Sequence, residues 1–295
     1  MNHLDGTAGG TKVHGIKAVW DKAVFNQGFE PQIISGVSSS AVFSVPYALS
    51  IHDLEFRRRV NSFFDNFTLN TLFKIKPISK RNNLRLRAIL RAIIGKSSLG
   101  RLRLDEVLRS FISLKDFVKY QSNDKYANCI VMSVDFKTGN KIVTSMKELS
   151  YEEFVLHCLA SASVPIYSKP IAINDMTLFD GGVKSLSCAA DVIRKYKPSY
   201  SLSVFSHPQK NSVQNNQWLP SGVSTVFKRM IEIIISDIST ISQEEQKRAA
   251  MENDTTLYQV FLPNVLKSEF DTNRRRLDRL KIQADMLAPF AKKAI

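Results

Sequence analysis

Pro31-Gln32-Ile33-Ile34-Ser35-Gly36-Val37-Ser38-Ser39-Ser40-Ala41 sets a short apolar run directly ahead of a glycine and three serines. The run ending at Ser35 has the length and β-branched content of a short buried strand that stops at Gly36. Residues 39–50 are small and apolar and predict a buried helix, which Pro46 is expected to kink or shorten. A serine in a tight strand-to-helix turn has its hydroxyl lifted above the sheet, beside unpaired amides of the helix N-terminus. That terminus also favours the negative charge that develops on oxygen during acyl transfer. Ser38 holds the central place, two residues after Gly36, with Ser39 and Ser40 as rivals. The usual pattern is Gly-x-Ser-x-Gly, and here Ser40 stands where the second glycine belongs. Three serines at a helix start are also ordinary N-cap chemistry, so the segment alone leaves both meanings open.

Outward from this turn the chain alternates strand and helix. Ahead of it, a strand leads into the glycine-rich loop Asp5-Gly6-Thr7-Ala8-Gly9-Gly10-Thr11-Lys12. A helix follows over 13–25, with Ile16, Val19, Trp20, Ala23 and Val24 at helical spacing. Behind it, residues 51–120 are helical and basic, broken at 77–83, with an amphipathic helix over 104–112. A hairpin joins 128–136 to 141–144 around Lys137-Thr138-Gly139-Asn140. A helix over 150–161 leads to a strand at 177–179, which ends in Asp180-Gly181-Gly182. A strand at 200–206, a polar surface loop over 207–221, a helix over 223–250, a strand near 257–262 and a helix over 270–294 complete the order. The pattern implies one α/β domain over 1–295, its mainly parallel sheet covered by helices on both faces.

Composition is that of an ordinary globular protein, with 44% hydrophobic and 23% charged residues. Cys129, Cys158 and Cys188 lack metal-ligand spacing and read as packed, reduced thiols in a cytoplasmic setting. Met1-Asn2-His3-Leu4 runs straight towards the glycine-rich loop without the pattern of a secretory leader. No run of eighteen apolar residues marks a membrane span. The net charge of +14 is uneven: residues 51–120 hold 16 Lys and Arg against 6 Asp and Glu, so +10 falls in this segment. Such a segment favours anionic partners, or it is simply a solvated basic face.

Three ordered motifs then combine. Gly36-Val37-Ser38 is followed by Ala160-Ser161-Ala162-Ser163-Val164-Pro165, and that by Phe179-Asp180-Gly181-Gly182. Together with the glycine-rich loop, they resemble the patatin-like phospholipase family. The resemblance implies a catalytic pair of Ser38 and Asp180, with no histidine in the mechanism. Gly36 would shape the nucleophile turn, and Gly181 and Gly182 would turn Asp180 towards the serine. It further implies an oxyanion hole from the amides of Gly9, Gly10 and Ser39. Lys12 falls in the family's basic loop position, where it would order the loop or meet a substrate phosphate; an alternative register places Gly10 there instead. The family's Asn and Pro after Asp-Gly-Gly are missing from Lys184-Ser185-Leu186-Ser187.

The implied activity is phospholipase A-type hydrolysis of membrane glycerolipids through an acyl-Ser38 intermediate, without metal or cofactor. The basic segment 51–120 would be a helical insertion or lid seating the protein peripherally on an anionic bilayer. An esterase or thioesterase acting on soluble substrates and a catalytically inactive binding module are the alternatives, the latter motivated by Ser40, Ala8 and Pro46. Nucleic-acid binding is not expected, because the basic stretch carries no recognised motif.

Overall fold

The computed structural model describes residues 1–66, 104–165, 168–207, 223–266, 271 and 273–287. Its strands are β1 (Asn2–Gly6), β2 (Ile33–Val37), β3 (Asn128–Asp135) and β4 (Asn140–Ser145), then β5 (Ile171–Ile173), β6 (Met176–Asp180), β7 (Tyr200–Phe205) and β8 (Thr256–Phe261). They form one eight-stranded sheet ordered β5-β6-β3-β2-β1-β7-β8, with β4 also paired to β3. The β3-β2-β1-β7-β8 run is parallel throughout. The β3–β4, β3–β6 and β5–β6 pairs are antiparallel, so the sheet is parallel only over that run. The hairpin was legible in sequence; that the Asp180 strand runs against β3 was not, because strand direction depends on the crossover path and not on local pattern.

The helices are α1 (Val13–Asp21), α2 (Ser39–His52), α3 (Leu54–Asn66), α4 (Leu104–Phe111), α5 (Leu114–Gln121), α6 (Tyr151–Ser161), α7 (Ala189–Tyr196), α8 (Val223–Glu252) and α9 (Arg274–Asp285). Capping boxes start two of them: Ser113 with Asp116 opens α5, and Ser150 with Glu153 opens α6. Alternate strand residues feed two cores. Leu4, Ile34, Val131 and Leu202 pack with α1, α2, α6 and α9, whereas Ile33, Val37, Ile130 and Met132 pack against α7 and Ile235 and Ile238 of α8. Helices thus cover both faces, as the alternation implied.

Several expectations shift in detail. Pro46 lies inside α2, which nevertheless runs unbroken to His52 with Val45, Tyr47, Ala48 and Leu49 buried around it. Tight packing on all sides holds the helix where proline removes one bond. Asp5 and Gly6 belong to β1, because they pair with Ser35 and Gly36 on one side and Ser203 and Val204 on the other. The short strand β5 and helix α7 were not anticipated. Of the basic segment, α3, α4 and α5 are described; residues 67–103, including the break at 77–83, lie outside the described residues, as do 208–222 of the expected polar loop. All three cysteines are free and buried, and burial pushes the Cys129 thiol up to about 12. Among the described residues, no helix is long and apolar enough to cross a membrane.

Candidate active site

β2 ends at Val37 and α2 begins at Ser39, leaving Ser38 alone in the turn with φ 59° and ψ −123°. A non-glycine residue at positive φ is strained, and such strain is kept where the surroundings fix the turn. Gly36 makes the turn feasible: a Cβ there would lie 2.5 Å from the Ser40 carbonyl carbon and 2.7 Å from the Ala41 nitrogen. The Ser38 N–H donates to Ser161 Oγ at 3.0 Å, and that hydroxyl donates to the Met132 carbonyl at 2.6 Å. Ser161 therefore pins the turn to β3 from the end of α6.

The three serines separate by their partners. Ser40 Oγ donates to the Thr7 carbonyl at 2.9 Å, and Ser39 Oγ is buried without a hydrogen-bond partner among the described residues. The Ser38 hydroxyl lies close enough to the Asp180 carboxyl to pull its pKa down against burial. The two residues stand 142 positions apart in sequence.

Asp180 closes β6 and caps the single turn Gly181–Val183, accepting the Gly182 N–H at 2.7 Å. Its own N–H donates to the Ser163 carbonyl at 3.0 Å, so the Ala160–Pro165 segment holds both members of the pair. Gly181 cannot be larger, because a Cβ would come within 2.6 Å of the Met132 carbonyl oxygen. Burial pushes the Asp180 carboxyl up to about 6, against the opposing pull of Ser38 and the Gly182 N–H. No histidine contributes to that titration.

The glycine loop lies beside this turn: a Cβ on Gly182 would approach that of Ala8 to 3.0 Å. Ser40, by bonding Thr7, also ties the nucleophile helix to the same loop. Gly10, Thr11 and Lys12 form one 3-10 turn in which the Lys12 N–H donates to the Gly9 carbonyl at 3.0 Å. Lys12 is buried, and its backbone N–H closes the turn. Ser206 grips the loop from β7, its N–H on Thr7 Oγ1 and its hydroxyl on the Ala8 carbonyl. As the first residue of α2, Ser39 has an N–H with no intrahelical acceptor. Among the described residues, no group of His, Cys, Asp and Glu is arranged to hold a metal ion.

A family model described as "Patatin-like phospholipase" matches residues 9–187, which spans Gly9, Ser38 and Asp180. The chain belongs to the patatin-like phospholipase family. Two solved structures are similar to this patatin-like chain at low identity. VipD from Legionella pneumophila shares 10% identity at TM-score 0.47, covering 97% of this chain and 65% of that one. The type III effector protein ExoU shares 12% at TM-score 0.45, covering 96% of this chain and 51% of that one. The chain therefore spans between half and two-thirds of those longer proteins. No curated protein matches the sequence.

The departures from the patatin-like pattern have local causes. Ser40 replaces the second elbow glycine because its side chain fills the space over Gly6, where a Cβ would come within 3.0 Å of Ser40 Cβ. Ser40→Gly is expected to cost about 1–2 kcal/mol by urea unfolding, through the lost bond to Thr7 and a glycine in the first helical turn; an unchanged midpoint would contradict this role. The missing Asn and Pro after Asp180-Gly181-Gly182 are replaced by serine bonding. Ser185 Oγ reaches Ser242 Oγ at 3.0 Å, and the Leu186 carbonyl accepts the Ala8 N–H at 2.8 Å. Ser161, Ser206 and Ser187 had no assigned part in the sequence reading; only Ser161 carried a signal, its place in the Ala-Ser motif.

Proposed function

We propose that this chain is a lipid acyl-hydrolase of the phospholipase A type, with Ser38 as nucleophile and Asp180 as the only side-chain base. The supporting observation is the Ser38 hydroxyl in the strand-to-helix turn beside a buried carboxylate whose basicity is raised by burial. Ser38 Oγ attacks the ester carbonyl carbon as its proton passes to Asp180. The amides of Gly9, Gly10 and Ser39 stabilise the resulting oxyanion. The intermediate collapses to acyl-Ser38, and Asp180 returns the proton to the departing alcohol. Water then attacks the acyl group, Asp180 takes its proton, and collapse releases the fatty acid and restores the Ser38 hydroxyl. This chemistry calls for no metal or cofactor.

Lipid specificity is supported by family membership, and a membrane seat by part of the basic segment. Leu54, Leu114 and Val118 are exposed large apolar residues, and Lys119 bonds Asp53 at 2.7 Å, bringing the ends of α3 and α5 together. Apolar side chains framed by lysines suit the interface of an anionic bilayer. The protein would then be cytoplasmic and peripheral at the membrane.

Release of fatty acid from phosphatidylcholine vesicles doped with phosphatidylglycerol is the test. Hydrolysis of vesicle lipid is expected to exceed that of short-chain nitrophenyl esters, and co-sedimentation should strengthen with anionic lipid and weaken in high salt. Turnover of nitrophenyl esters alone would mark an esterase on soluble substrates. Binding that ignores lipid charge and salt would remove the proposed seat.

A further inference from the structure

The ends of β1, β2 and β7 bury an unusual set of polar side chains against the segment before α7. Asp5, His3, Ser35, Ser201 and Ser203 are all fully inaccessible to solvent, and among the described residues no basic side chain pairs with Asp5. The Asp5 carboxylate accepts the Ser35 hydroxyl at 2.6 Å and the Ser187 hydroxyl at 2.7 Å, and Ser203 Oγ is buried without a hydrogen-bond partner among the described residues. A buried carboxylate without a counter-charge is costly, and hydroxyls only partly offset it. An apolar residue would fill a β-strand site more cheaply, so this one is explained by what it holds.

What it holds are the segments of the candidate site. Ser35 directly precedes Gly36 and the Ser38 turn. Ser187 ends the segment that leaves Asp180-Gly181-Gly182 and carries Leu186, which bonds the glycine loop. Asp5 itself leads into Gly6 and the loop that Ser206 grips at Thr7 and Ala8. We propose that Asp5 is a positioning residue, its carboxylate being the common acceptor that keeps the glycine loop, the Ser38 turn and the Asp180 segment in mutual register. This rests on the Ser38–Asp180 reading of the site.

The direction of the bonds makes the charge necessary. Ser35 spends its one proton on Asp5, so His3 Nε2, at 2.8 Å from Ser35 Oγ, must be the donor, and His3 Nδ1 accepts from Ser201 at 2.9 Å. Ser187 Oγ likewise donates to Asp5 while accepting from Gln246 Nε2 at 2.8 Å and the Ala189 N–H at 2.9 Å. The Ser35 and Ser187 hydroxyl protons both point inward to one acceptor-only group. Asparagine has the same shape but would present an NH₂ to one of these oxygens, leaving a serine proton without an acceptor.

The groups facing Asp5 do not titrate between pH 5 and 8. Burial holds His3 down to about 3 and pushes the Cys188 thiol well above its ordinary value, and Gln246 of α8 and Trp20 of α1 are neutral. Burial raises Asp5 itself to about 6, so it gains a proton near the pH at which Asp180 does.

The test uses the full chain, a nitrophenyl butyrate assay across pH 5–8 and the rate at which a fluorophosphonate labels Ser38. Asp5→Asn is expected to lower kcat tenfold or more with KM within twofold. It should also reduce the acid limb of log kcat from a slope near two to a slope near one, which mere loosening of the fold would not do. Ser35→Ala and Ser187→Ala, each removing one donor, are expected to lower kcat fivefold or more and decide the matter should Asp5→Asn not fold. Wild-type kcat in both serine variants, or an unaltered slope and labelling rate in folded Asp5→Asn, would overturn the role of Asp5 while leaving Ser38 and Asp180 in place. A wild-type chain that is never labelled at Ser38 would overturn the site itself, and this role with it.

Discussion

Ser38→Ala is expected to reduce ester hydrolysis by on the order of 10⁴-fold or more, leaving only what binding and the oxyanion amides supply. The expected loss is large because neither neighbour can take over. Ser40 is committed to the Thr7 carbonyl, and Ser39 Oγ lies buried without a hydrogen-bond partner among the described residues. The variant should fold normally, since alanine removes only an oxygen and the bond from the Ser38 N–H to Ser161 survives. A purified Ser38→Ala protein with wild-type turnover would remove Ser38 from the chemistry.

Asp180→Asn is the second large effect, an expected loss of about 10³–10⁴-fold at pH 8. Asparagine can still accept the Gly182 N–H, but it cannot take a proton. The wild-type profile carries the same signature: kcat/KM should fall as pH drops below about 6, where Asp180 is protonated. Stability should move the other way. The folded carboxyl titrates near 6 against an ordinary 3.8, so the folded state holds this proton more tightly than the unfolded chain does. Its stabilising effect is fully present below about pH 3.8 and is lost as pH rises through 6. The interval corresponds to about 3 kcal/mol. The unfolding free energy of Asp180→Asn minus that of wild type should therefore grow by up to about 3 kcal/mol from pH 4 to pH 8. A difference flat across that range, measured by urea unfolding, would mean that Asp180 is not a base whose proton affinity burial raises.

The turn at Ser38 was legible because its demands are local. Only glycine fits at 36 under the Ser40 carbonyl, and a buried strand followed by a buried helix leaves a recognisable run of residue types. Asp180 was legible for the same reason, since Gly181 abuts β3 and Gly182 supplies the amide that holds the carboxylate. Asp5 was not legible as a structural hub and was assigned to a loop. Its partners Ser35 and Ser187 lie far apart in sequence, and hydroxyls scattered over that distance leave no spacing to detect. β5 has three residues, too few to display alternation, and the eight residues of α7 span barely two turns. The serines around 185–187 replace the family's usual residues through bonds to Asp5 and Ser242, a substitution visible only once the segments meet.

Fluorophosphonate labelling followed by peptide mass mapping tests the central chemistry most directly. One adduct on Ser38 is expected, formed more slowly as pH falls through about 6, absent in Ser38→Ala and greatly slowed in Asp180→Asn. An adduct on another residue, or labelling of Ser38 at an undiminished rate in Asp180→Asn, would contradict the serine–aspartate pair.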